Sequence, residues 1–231
     1  GAVDADGKTG DGAGIQLSIP KDFFIDKIQR TGNKHNNLPF AVGMIFLPRT
    51  DFAAQEKSRI IVESEIIKEG LKIYGWRHVP IDSSIIGDKA KATRPEIEQI
   101  LICNEKIEDE KEFENLLFII RKKIEKQIRK NNINEFYICS LSCQSIIYKG
   151  MFLAEQLSNF YPDIQNEKFV STHDYEYYYN IMKCHQNQLE QRPKEIVSVL
   201  QSYRMLERRN RSQAWLLSLS RYELVHHTLS I

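Results

Sequence analysis

The stretch PFAVGMIFL, Pro39 to Leu47, carries no charged side chain and is bounded by Pro39 and Pro48. A short apolar run punctuated this way reads as a strand buried on both faces, so other elements must cover it on both sides. The sequence around it supplies them. A helix is expected over about Ala53 to Glu69, where Ile60, Val62, Ile66 and Ile67 fall among charged residues and Gly70 stands where a left-handed C-terminal cap belongs. GLKIYGWRHVPID then alternates towards a strand ended by Pro80 and Asp82, and Ile97 to Cys103 follows Pro95 as another. In EKEFENLLFIIRKKIEKQIRK, Phe113, Leu116, Leu117, Ile120, Ile124 and Ile128 recur three or four apart, one apolar stripe on a helix whose charged face is solvated. FYICSLS (Phe136 to Ser142) and SIIYKG (Ser145 to Gly150) flank Cys143-Gln144 and are read as a β-hairpin, with a helix through MFLAEQLSNFY ending before Pro162. This order of elements describes a mixed α/β layered domain and not a repeat array.

Near the start, TGDGAGI (Thr9 to Ile15) has Gly10, Gly12 and Gly14 within five residues. Such a loop cradles phosphates, turns a tight corner or lets another group approach the backbone. It lacks the Lys-Ser/Thr ending of a P-loop, and no strand-like run precedes it as a dinucleotide fingerprint requires, so a structural turn into a strand at Ile15 to Ile19 is the preferred reading.

At 231 residues, 42% apolar and 27% charged, the chain has the balance of one large or two small globular domains. Its 32 basic and 31 acidic residues leave a net charge of +1, which gives no global field for a nucleic acid or a membrane. No apolar run approaches the ~20 residues of a membrane span, and no basic start leads into a hydrophobic segment. Cytoplasmic placement is therefore expected, with no membrane partner. Cys103, Cys139, Cys143 and Cys184 form no compact framework and are read as buried free thiols.

Three constellations invite chemistry. Cys139 and Cys143, with Cys184-His185, nominally meet a zinc spacing, but no matching second pair exists. Trp76-Arg77-His78 could supply a general base, yet no serine or cysteine nucleophile lies in a recognisable motif nearby, and His226-His227 is a weaker candidate still. Arg204, Arg208, Arg209 and Arg211, with Tyr203 and Trp215 as stacking residues, are the one local basic patch and the best RNA-binding candidate, although such a helix end is usually a solvated face. From about Thr172 the composition changes: a tyrosine cluster, the polar QNQLEQRPKE, a helical stripe at Lys194 to Leu206, then AWLLSLSRYELV without a clear period. Residues 172–231 are accordingly expected to be a loosely attached, divergent or aberrant helical tail, with Trp215, Leu216 and Leu219 not packed on the strands and proteases cutting first at His185 to Pro193.

Taken in order, GAVDADGKTGDGAGI, IPKDFF, LPFAVGMIFLP, EGLKIYGWRHVPID, FYICSLSCQSIIYKG and QLSNFYPD resemble the class II glutamine amidotransferase domain at the start of the large chain of glutamate synthase, over Gly1 to about Ser171. The resemblance implies an α+β fold, a four-layer αββα N-terminal nucleophile hydrolase sandwich, here incomplete, with residues 1–171 as a partial amidotransferase domain. In that family an N-terminal cysteine thiolate attacks the side-chain amide of glutamine, its own α-amino group acts as base, and a thioester forms as ammonia leaves. An asparagine and a glycine N–H in an AHNGE-like segment hold the oxyanion, and an arginine in an HSR-x-S-T segment holds the glutamine carboxylate. The sequence begins at Gly1, downstream of the nucleophile's place, and after Lys168-Phe169-Val170-Ser171 it reads THDYEYYYNIMKCHQNQ where the HSR and HNG segments belong. No catalytic, cofactor-binding or metal-binding residue is therefore assigned, and no glutaminase activity is expected of this chain. The resemblance further implies L-glutamine and the remaining synthase domains as partners, flavin mononucleotide and an iron–sulfur cluster elsewhere in the full-length family, and a plastid location if the source is photosynthetic. It places the TGDGAGI glycines in close backbone packing beside the glutaminase pocket. The rival reading is a non-catalytic α/β binding or scaffold module with an RNA-binding basic tail.

Overall fold

The computed structural model describes residues 7–169 other than Asp11, Asn36, Asn37 and Glu108. The expectations placed on residues 172–231 lie outside the described residues. These are the tail helix, the protease-sensitive stretch, Cys184-His185, the arginine patch, the packing of Trp215, Leu216 and Leu219, and His226-His227. The elements in chain order are β1 (Ala13–Ser18), α1 (Lys21–Arg30), β2 (Phe40–Leu47), α2 (Phe52–Lys68), β3 (Lys72–His78), α3 (Asp88–Thr93), β4 (Glu96–Cys103), α4 (Glu110–Lys130), β5 (Tyr137–Ser142), β6 (Ser145–Gly150) and α5 (Leu157–Phe160). They fall into two compact units, Gly14–Ile81 with Arg94–Tyr148, and residues 7–13, 82–93 and 149–169.

In the larger unit β2 is buried along its whole length. It pairs antiparallel with β4 on one side and β5 on the other, and β3 adds antiparallel to β4, giving the order β3-β4-β2-β5. One face of this sheet packs on helices: Ala41, Ile45, Leu47, Ile100 and Ile102 share an apolar cluster with Val62 and Ile66 of α2 and with Phe113, Leu117, Ile120, Ile124 and Ile128 of α4. The expected stripe is thus the buried stripe, Leu116 being only partly covered. The alternate residues look the other way, towards β6, which pairs with β1 in a separate two-stranded sheet. Gln99 Nε2 donates to Tyr148 Oη at 2.9 Å and Ile147 N donates to Ser140 Oγ at 3.2 Å across that gap. The unit is mixed α+β, with a helical layer on an antiparallel sheet and a second sheet behind it, in agreement with the incomplete sandwich that the resemblance implies.

Local chemistry sets the ends and irregularities of these elements. The β2–β4 ladder stops at Leu47 opposite Glu96, and the next opposed positions are Pro48 and Pro95, neither of which has an N–H to give. Along β5, Ser140 faces Met44 and Ile138 faces Ile45, so Cys139 is an extra, bulged residue. That bulge puts both Ile138 and Leu141, three apart, in the helix-side cluster. Helix α2 starts at Asp51, whose carboxylate accepts from Ala54 N at 2.9 Å, and ends at Gly70, φ +79°, as its sequence indicates.

Two expectations need correcting. β5 and β6 are not a hairpin, because they belong to different sheets. A tight hairpin turn would need positive φ at its central residues, and neither Cys143 nor Gln144 has it. Instead Ser142 Oγ accepts from both Gln144 N and Ser145 N at 3.0 Å, forming a corner that hands the chain from one sheet to the other. The helix expected through MFLAEQLSNFY is shorter. Ala154–Gln156 is a 3₁₀ turn and only Leu157–Phe160 is α-helical, because Gln156 Oε1 accepts from Leu153 N while its Nε2 donates to the Ile85 carbonyl. Helix α1, with Phe23, Phe24 and Ile28 buried, was not anticipated at all.

Candidate functional site

Gly10 of the glycine segment belongs to the smaller unit, while Gly14 and Ile15 belong to the larger. A Cβ on Gly10 would lie 2.6 Å from both the carbonyl carbon and the oxygen of Phe152 and 2.9 Å from Leu153 N. The backbone of Phe152–Leu153 therefore occupies the space a side chain would need, so this glycine serves close main-chain approach and no phosphate could share that face. The strand it leads into, β1, begins two residues earlier than expected. Phe152, Phe160 and Tyr161 stack edge-on or tilted beneath the segment that carries them, and Tyr161 Oη donates to the Lys149 carbonyl at 2.8 Å. This is a rigid aromatic support.

In the larger unit the Trp76-Arg77-His78 run alternates as a strand must. Trp76 Nε1 donates to Glu63 Oε1 of α2 at 2.7 Å. Arg77 turns to the sheet's opposite face, donating to Gln99 Oε1 at 2.6 Å while its guanidinium lies 5.4 Å from the Phe23 ring centroid. His78 returns to the helix side, its Nδ1 3.4 Å from Glu96 and 3.3 Å from Glu98. Glu98 is only 2% exposed, and Arg59 grips both of its oxygens, Nε to Oε2 at 2.9 Å and Nη2 to Oε1 at 2.6 Å. This hydrogen-bonded pair, first through Glu98, strengthens the hold of Arg59 on its proton.

Among the described residues His78, Glu96 and Glu98 are the one trio of ligand-type side chains close enough to share a cation. The donor set does not suit a metal, because a guanidinium already neutralises Glu98 and would sit beside the ion. His78 is 74% exposed and faces the carboxylates of Glu96 and Glu98 at the sheet edge, and among the described residues it makes no hydrogen bond to a serine or cysteine nucleophile. The general-base candidate thus lies on the edge strand against two carboxylates.

The cysteines diverge. Cys139 Sγ donates to the Ile147 carbonyl between the sheets at 3.3 Å, whereas Cys143 Sγ lies 3.1 Å from Glu114 Oε2 on the helix side. Burial first, and then Glu114, pushes the Cys143 thiol up to about 12, so it carries no thiolate at neutral pH. Cys103, Cys139 and Cys143 are free and buried. These three do not converge, and so do not fit an iron–sulfur cluster, nor do Cys139 and Cys143 share a zinc. Sequence reasoning missed Arg59, Glu98, Gln99, Tyr148 and Glu114. The signal was there for two of them: Glu98 and Gln99 interrupt an apolar strand buried on both faces, where a polar side chain must find a partner.

The described residues define an α+β layered domain, a helical layer on an antiparallel sheet with a second sheet behind it and close main-chain packing at Gly10. Its family follows from comparison: residues 1–175 match the glutamine amidotransferases class-II, and the chain belongs to that family. It is 58% identical over 171 residues to the glutamate synthase [NADPH] large chain of Azospirillum brasilense, covering 74% of this chain and 11% of that protein. Against ferredoxin-dependent glutamate synthase 1, chloroplastic/mitochondrial, of Arabidopsis thaliana it is 41% identical over 173 residues, and against ferredoxin-dependent glutamate synthase 2 of Synechocystis sp. 37% over 178, again with 74% of the chain and 11% of each relative covered. The chain spans about a tenth of the length of the curated relatives it matches. No helix among the described residues is long and apolar enough to cross a membrane.

Proposed function

We propose that residues 1–171 form the first part of the glutamine-hydrolysing domain of a glutamate synthase, and that residues 172–231 are a divergent tail outside it. The observation that carries this reading is the 58% identity to a glutamate synthase large chain over 171 residues, within a family match to residues 1–175. Supporting it is the packing at Gly10, which gives the glycine segment a scaffold role. The substrate class is L-glutamine and the partners are the remaining synthase domains, with flavin and iron–sulfur chemistry assigned to those domains. The compartment is the cytoplasm, or a plastid in a photosynthetic source.

Among the described cysteines, Cys143 is held protonated by burial and Glu114, and so does not serve as a glutaminase nucleophile in this reading. A purified protein of this sequence is expected to release no ammonia from glutamine above a heat-killed control. Ammonia release abolished by a glutamine-directed thiol alkylator such as diazo-oxo-norleucine contradicts this.

A further inference from the structure

Among the described residues the large apolar side chains that stand exposed are Phe52, Ile60, Ile67, Phe118 and Ile119, from 47% at Ile119 to 76% at Phe52. All of them lie on α2 and α4, the helical layer of the larger unit. A helix that only covers a sheet keeps its apolar residues on the buried side and polar ones outside. α2 does not. Val62 and Ile66 enter the core, while Ile60 and Ile67, two turns apart on one side of the helix, remain in solvent. Single exposed apolar residues need no explanation, but a set gathered on one layer marks a surface that another body covers.

α4 adds charge of one sign to that layer. Beyond Phe118, whose ring carries the Lys122 ammonium at 5.3 Å, its sequence runs through Lys122, Lys123, Lys126, Arg129 and Lys130. Glu125 answers Lys122 and Glu69 answers Lys123. Lys126, Arg129 and Lys130 are exposed and have no acidic partner among the described residues. We propose that the outer face of α2 and α4 is the surface on which the rest of a glutamate synthase large chain docks, through an acidic and apolar segment. Length and charge point to that occupant. The matched stretch is 11% of each relative, so most of such a protein lies outside it and must be seated against it, and the unpaired cations call for carboxylates opposite. The inference rests on the reading of residues 1–171 as the first part of a synthase.

The test compares the full 231-residue chain with the Azospirillum brasilense large chain in which residues 1–171 replace the matching stretch. Both are read by hydroxyl-radical oxidation and lysine acylation with peptide mass spectrometry. Phe52, Phe118, Lys126 and Lys130 are expected to react several-fold more slowly in the chimaera than in the full chain. Equal rates in the two proteins overturn the proposal. So does slow reaction in the full chain itself: a dimer in sedimentation then assigns the face to a second copy, and a monomer assigns it to residues 172–231. Binding of the full chain to phosphatidylserine vesicles, lost in an Ile60→Gln, Ile67→Gln double variant, would assign the face to a membrane surface and overturn it too. The same double variant gives a check that needs no chimaera, since in the full chain it should melt with its parent as surface substitutions do. A melting temperature several degrees lower would place these isoleucines in the chain's own core, against the proposal. A chimaera that releases no ammonia while the face is protected supports the docking and contradicts only the proposed function, whereas an active chimaera with the face unprotected contradicts only the docking.

Discussion

Single residues carry sharp consequences in this chain because several sit where nothing can yield. Gly10 meets backbone at 2.6 Å, whereas a Cβ on Gly43 would meet Ile100 Cγ2 at 2.7 Å and Leu141 Cδ1 at 3.1 Å, both side-chain atoms. Gly43→Ala should therefore cost about 1–3 kcal/mol, the usual price of overpacking, and Gly10→Ala more than that. Urea unfolding monitored by circular dichroism checks the order, and equal losses would contradict the backbone argument. Arg59→Ala strands a buried carboxylate and should cost about 3–5 kcal/mol, while Arg59→Met with Glu98→Leu should recover most of it. A double variant as unstable as the single one would mean that the ion pair is not what the site needs. Cys143 has a titration signature: its raised pKa contributes stability that is whole below the unfolded thiol value and drains away as pH rises towards about 12. Iodoacetamide at pH 8.5 should label it far more slowly in the native protein than in urea, as peptide mass spectrometry would read. Equal rates would show an exposed thiolate.

At the scale of elements, legibility in the sequence followed the clarity of each hydrophobic period. α4 was readable because Phe113, Leu117, Ile120, Ile124 and Ile128 keep one helical period, although Phe118 and Ile119 are exposed outside that stripe, and Ile124→Ala should cost about 2–5 kcal/mol by chemical denaturation. A loss under about 0.5 kcal/mol would place Ile124 outside the core. β2 was readable because two prolines bound an uninterrupted apolar run. α1 was not, since Phe23, Phe24 and Ile28 alone make too few repeats to declare a period. The β5–β6 connection misled because two neighbouring strands in sequence need not be neighbours in a sheet. Whether Ser142 caps a corner or a reversal follows opens a hairpin depends on φ angles that residue types such as Cys and Gln do not fix. The polar groups between layers were hidden for a related reason: Gln99 and Tyr148 lie 49 residues apart and meet only once two sheets are stacked.

For the whole molecule the sequence carried the family before any geometry, through the order and spacing of motifs across residues 1–171, and the layered α+β unit agrees with it. What spacing does not carry is which side chains meet: Gln99 with Tyr148, and Cys143 with Glu114, come together only in the folded layers. The central claim is then a statement about a scaffold: residues 1–171 are a working first part of a glutaminase domain, equivalent to the stretch they match in a glutamate synthase. The direct measurement is ammonia release from glutamine by a chimaera in which residues 1–171 replace the matching 171-residue stretch of the Azospirillum brasilense large chain. The account predicts a soluble chimaera whose glutamine hydrolysis stays within about tenfold of the parent, a barrier change under about 1.4 kcal/mol. A chimaera that folds with the parent's melting temperature yet releases no ammonia from glutamine would contradict it.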